Sequence, residues 1–132
     1  MARVLKNIDQ IGREKNRDVL FIQFDRKFFP KYDYKNYKNR AELLEWLDHN
    51  NIAYEECFGV ASDNGFESYR GQLYVDVVFD ETLDIYNLLN NHIEPQNGVL
   101  RFEGIGLWTL PLSMAMENAY MDDPNYESTL FL

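Results

Sequence analysis

The spacing of apolar and polar positions changes period several times along the chain, and each change marks an element. Near the N-terminus "VLKNIDQIG" sets Val4, Leu5, Ile8 and Ile11 on one helical face, with Gly12 placed to end a short helix. "VLFIQFD", residues 19–25, is a short continuous run of branched and aromatic side chains, which predicts a buried strand at the centre of a sheet. "NRAELLEWLDHNN" returns to the helical period: Leu43, Leu44 and Leu47 form a stripe behind Asn39, the expected N-cap, with Glu42 three positions on.

Two alternating stretches follow. Ile52, Tyr54, Phe58 and Val60 share one face of "IAYEECFGVA", and Leu73, Val75, Val77 and Phe79 share one face of "QLYVDVVFD". Between them Asn64-Gly65 and Gly71 supply the turn chemistry of a long hairpin. "DETLDIYNLLNNHI" predicts another helix, capped by Asp80 or Thr82, with Ile85, Leu88 and Leu89 as its stripe. "VLRFEGIGLWTL" predicts the last strand, bent at Gly104 and Gly106, and "SMAMENAYM" a closing helix behind Ser113. Residues 122–132 are expected to be a loosely ordered acidic tail.

A chain of 132 residues without repeats or linker-like tracts is expected to fold as a single domain, residues 1–132, around one core. The order β-α-β-β-α-β predicts an α+β, ferredoxin-like βαββαβ sandwich: a four-stranded antiparallel sheet, two helices on one face, and short N- and C-terminal helices. The other face of the sheet is then open. With Leu20, Ile22 and Phe24 turned to the helices, Phe21 and Gln23 are expected on that open face, beside Tyr74, Asp76, Arg101 and Glu103.

Charge changes the picture more than composition does. The formal net charge of −9 hides a division: 11 of the 13 Lys and Arg lie in residues 1–40 against 5 carboxylates, a net +6, while residues 41–132 hold 2 cations against 17 carboxylates, a net −15. The densest cationic stretch, "DRKFFPKYDYKNYKNR" at residues 25–40, packs six basic side chains and five rings around Pro30. A regular helix cannot run through that proline, so a loop is expected. Rings and cations together suit a protein interface, and they also suit the stacking and phosphate neutralisation of single-stranded nucleic-acid binding. Folding of the loop onto its own acidic domain would use the same side chains.

Little points to a reaction. Cys57 stands beside Glu55 and Glu56, which disfavour its thiolate, and no other cysteine can join it in a zinc site or a disulfide. His49 and His92 fall near the ends of the two central helices, where a cation complements the helix dipole. In the expected fold Asp25 and Asp80 end at opposite edges of the sheet, too far apart to share a proton or a metal. No phosphate-binding loop or dinucleotide fingerprint occurs, so no catalytic residue, cofactor or metal is expected. No segment approaches the ~20 apolar residues of a membrane span or resembles an export signal, and a cytoplasmic location is expected.

The leading expectation is a non-enzymatic regulatory protein that binds another protein, or a second copy of itself. Its basic aromatic loop would supply Arg26, Lys27, Phe28, Tyr32, Tyr34, Lys35, Tyr37 and Lys38, and the acidic remainder a second surface. A single-stranded RNA-binding module is the alternative, with Phe21 and Tyr74 as stacking rings. On this reading "LFI" and "RGQLYV" resemble the two strand signatures of the RNA-recognition motif, though Gln72 and Leu73 depart from the second. A third expectation has the acidic surface imitating a nucleic acid to inhibit a DNA- or RNA-binding protein.

Overall fold

Val19–Phe24, five of whose six side chains are apolar, forms the strand around which everything else is arranged. The computed structural model describes residues 5–24, 34, 37–61, 69, 71–94 and 105–122. In chain order the elements are α1 (Ile8–Lys15), β1 (Val19–Phe24), α2 (Lys38–His49), β2 (Tyr54–Glu56), β3 (Leu73–Val75), α3 (Asp84–Ile93), β4 (Ile105–Leu110) and α4 (Leu112–Met116), followed by a 3-10 turn over Ala119–Asp122. The strands form one antiparallel sheet in the order β2-β3-β1-β4, so the fold is of the α+β class. No helix among the described residues is long and apolar enough to cross a membrane.

Side chains alternate across the sheet, and each set meets its own helices. On one face Leu20, Ile22 and Phe24 of β1 join Leu73, Val75 and Ile105, and this layer packs on Leu43 and Leu47 of α2 and on Tyr86, Leu89 and Ile93 of α3. On the other face Val19, Phe21, Tyr74 and Leu110 are covered by Ile8 and Ile11 of α1 and by Ala115 of α4. The expectation of an open face is therefore corrected: helices lie on both sides of the sheet. The physical reason lies in β1 and β3, which carry rings on the second face as well. Removing each ring from water is worth about 2–3 kcal/mol, and the two terminal helices supply the cover.

A buried ion pair ties that cover down. Asp9 of α1 is wholly buried and accepts from Arg13 Nη1 at 3.0 Å, from Asn118 Nδ2 at 3.0 Å and from the Ala61 amide at 3.0 Å. Arg13 also donates to the carbonyl of Ala115 at 2.9 Å, which fixes α4 against α1. Asp18 Oδ1 accepts the Leu112 amide at 2.7 Å where α4 begins. Three donors shared over its two oxygens, one of them a cation, are what make the buried carboxylate tolerable.

Several boundaries differ from the sequence expectation. α1 runs through Gly12 and ends at Asn16, which takes the left-handed conformation (φ 54°) that a helix stop requires. α2 begins at Lys38 behind Tyr37, so Asn39 lies inside the first turn and is not its cap. α3 begins behind Leu83, because the Asp80 carboxylate is already engaged with the amide and hydroxyl of Thr82. α4 begins behind Pro111, with Ser113 inside it. The inward stripe of α3 is Tyr86, Leu89 and Ile93, and Ile85 and Leu88 face water. Val60 and Phe79, expected on the same faces as the buried Ile52 and as Leu73, Val75 and Val77, are likewise exposed. Residues 99–104 of the expected last strand and residues 123–132 of the expected tail lie outside the described residues.

Candidate interaction surface

Of the eight loop residues expected to meet a partner, Arg26, Lys27, Phe28, Tyr32 and Lys35 lie outside the described residues, as does Asp25. The other three divide. Tyr34 packs against its own core, its ring 4.9 Å from the Arg40 guanidinium and edge-on to Tyr69 at 4.8 Å. Tyr37 meets Phe24 edge-on at 6.4 Å. Lys38 faces water, with Glu42 one helical turn away at 3.8 Å.

Arg40, one of the six cations of the stretch, points inward. It is buried, donates to the Gly71 carbonyl at 3.2 Å and to the Tyr69 hydroxyl at 3.2 Å, and lies 5.6 Å from the Phe24 ring. Gly71 completes the contact: its φ is +92°, and a Cβ there would come within 3.0 Å of Tyr34 Cβ. The role of Arg40 has a sequence signal, because residues 40, 43 and 47 share one helical face and Leu43 and Leu47 are core. That anchor was not read from the sequence.

The stacking expectation for Phe21 and Tyr74 meets a direct correction. Phe21 is 5% exposed and Tyr74 2%, both beneath α1 and α4, so neither ring can receive a base. The Tyr74 hydroxyl donates to Asp76 Oδ1 at 2.9 Å and accepts from Arg17 Nη2 at 3.1 Å, while Arg17 pairs directly with Asp76 at 2.7 Å. Burial, reinforced by the bond to Asp76, pushes the Tyr74 hydroxyl up to about 12. The same bond, with Arg17 beside it, holds Asp76 below the usual carboxylate range.

Groups able to do chemistry are engaged in packing. Burial, with Glu55 adding to it, pushes the Cys57 thiol up to about 12, far from a reactive thiolate. His92 stacks on Trp46 at 3.8 Å with the rings 5° from parallel, joining α3 to α2. Among the described residues no three His, Cys, Asp or Glu side chains converge on a metal-sized site.

The surface itself offers more. Val78, Phe79, Leu83, Ile85 and Leu88 are all exposed, at 37–45% of their full area, in the stretch that follows β3 and in the first turns of α3. Ile85 and Leu88 lie one turn apart on the same side of the helix. Phe79 is held edge-on to Tyr86 at 5.3 Å, and Asn87 Nδ2 bonds the Glu81 carbonyl at 2.8 Å, which fixes the turn that presents the patch. Residues 71–94 carry Asp76, Asp80, Glu81, Asp84 and Glu94 and no Lys or Arg. Exposed apolar side chains thus share residues 78–88 with Asp80, Glu81 and Asp84, a combination the sequence hid because Phe79, Ile85 and Leu88 looked like core.

No protein-family model matches the chain, and no curated protein or solved structure matches it significantly.

Proposed function

We propose that this chain is a non-enzymatic, cytoplasmic protein-binding module that takes its partner on the surface of Val78, Phe79, Leu83, Ile85 and Leu88, rimmed by Asp80, Glu81 and Asp84. One observation carries the reading: five large apolar side chains stand at the surface of a stretch that contains carboxylates and no cation. An exposed apolar patch of a few hundred Å² with a polar rim is the mark of a docking site. The chemistry that fits it is a basic amphipathic segment of another protein, whose apolar stripe covers Ile85 and Leu88 while its lysines meet the rim. The basic sequence of residues 26–38, in which Lys38 stands in water, would offer cations to carboxylates of the same partner. The architecture is read as ferredoxin-like, supported by the strand order β2-β3-β1-β4 and the β-α-β-β-α-β succession. Burial of Phe21 and Tyr74 weighs against the nucleic-acid alternative.

The test uses a labelled synthetic Lys/Leu amphipathic helical peptide, a scrambled peptide of identical composition and single-stranded poly-U RNA, followed by fluorescence anisotropy. The amphipathic peptide should bind more tightly than the scrambled one, and Ile85→Asp with Leu88→Asp should weaken it by about tenfold or more. Equal binding of the two peptides, no effect of the double substitution, or preference for the RNA would overturn the proposal.

A further inference from the structure

β4 closes one edge of the sheet, and it is an unusual edge. Natural edge strands are blunted by charge, proline or brevity, whereas Ile105–Leu110 runs six residues without a charged side chain. The uncharged run continues to Met116, twelve residues in a chain of which 27% is charged. Within it Trp108 is 55% exposed and Met114 and Met116 are each 51% exposed, the highest values among the large apolar side chains of the core elements.

The main-chain directions follow from one contact. The Leu107 amide donates to Glu94 Oε1 at 3.2 Å, so it points away from β1, and the alternation of an antiparallel ladder turns the main-chain groups of Ile105 and Thr109 the same way. We propose that this edge pairs antiparallel with β4 of a second copy, about a two-fold axis at Leu107, the Glu94 carboxylate swinging aside. Leu107 then faces Leu107 of the second copy, Ile105 faces Thr109, and Trp108 faces Gly106. That last pairing fits the side chains. Gly106 has no Cβ because its own Trp108 ring lies over it; a Cβ would come within 2.9 Å of the indole Nε1. The two indoles therefore meet beside the axis with nothing between them.

Charge selects the occupant. Two copies that each carry −9 repel least where carboxylates are fewest: residues 105–116 hold none, and the Glu94 carboxylate on the Leu107 amide moves off the axis when the strands pair. Self-pairing on a charged strand would set like charges opposite each other; here none are opposed. Glu94 acts as a removable guard of the edge. This surface is separate from the one proposed above, and its test does not depend on that reading.

Sedimentation velocity across a concentration series, at low salt and at about 0.5 M NaCl where the Debye length is about 4 Å, measures the equilibrium. The chain should dimerise, more tightly at high salt, and Glu94→Ala should tighten it further by freeing the Leu107 amide. Thr109→Pro removes an outward amide that β1 does not use, so it should weaken the dimer by about tenfold or more. Trp108→Glu should do the same, and circular dichroism checks that both variants stay folded. A strictly monomeric chain at high salt, or a dimer indifferent to both Thr109→Pro and Trp108→Glu, would overturn the inference.

Discussion

Replacing Phe21 by alanine separates a core ring from a binding platform. The ring is 5% exposed and shares its cluster with Ile8, Ile11, Val19, Tyr74, Leu110 and Ala115. Neighbours come from three strands and two helices, so they cannot all close over the space left behind, and the loss should be about 3–4 kcal/mol from transfer and cavity together. With a urea slope of about 1.5–2 kcal/mol/M for a domain of this size, the unfolding midpoint should fall by about 2 M. Phe21→Leu keeps most of the volume and should cost about 1 kcal/mol, which gives a measurable value even where the alanine variant is too unstable to study. A ring standing free on an open sheet would tolerate either change within about 0.5 kcal/mol. A midpoint shift that small would refute the arrangement in which α1 and α4 cover the second face.

Further outcomes follow from the same packing. Asp9→Ala takes the countercharge from the buried guanidinium of Arg13, whose side chain is only 6% exposed, and should lower stability by about 3–5 kcal/mol in chemical denaturation. Gly71→Ala forces a side chain into φ +92° and against Tyr34, and a loss of about 1–2 kcal/mol is expected in the same assay. Alkaline stability has a definite sign: the folded chain holds the protons of Cys57 and Tyr74 more tightly than the unfolded chain, whose groups lie near 9 and 10, while their folded values are about 12. Their contribution is complete below about pH 9 and is lost as pH rises to about 12, so the urea midpoint should drop across that window. A thiol reagent at neutral pH should leave Cys57 unmodified until the chain unfolds.

Most of the strands and helices could be read from the chain because each keeps one pattern along its length, and the register confirms the pairing of the first and third strands. What the period could not give was which side of an element that is apolar all round turns inward. α3 offers residues 85, 88 and 89 or residues 86, 89 and 93 as a stripe, both at helical spacing, and packing against the sheet chose the second. The covered face had a signal that went unused: "VLFI" in β1 and "LYV" in β3 are apolar on successive positions, as strands buried on both sides are. A short helix such as α4, five residues long with Pro111 before it, carries almost no pattern, so its place over Val19 and Leu110 could come only from tertiary contacts. The exposed side chains at residues 78–88 were hidden by the same ambiguity, because Phe79, Ile85 and Leu88 looked like interior positions.

Which rings meet water is the question on which both proposed surfaces stand, and hydroxyl-radical footprinting of the native chain reads it directly. Fast labelling is predicted at Phe79, Trp108, Met114 and Met116, with Phe21 and Tyr74 protected until denaturant is added. Labelling of Phe21 and Tyr74 at the rate of Trp108 in the folded chain would contradict the account.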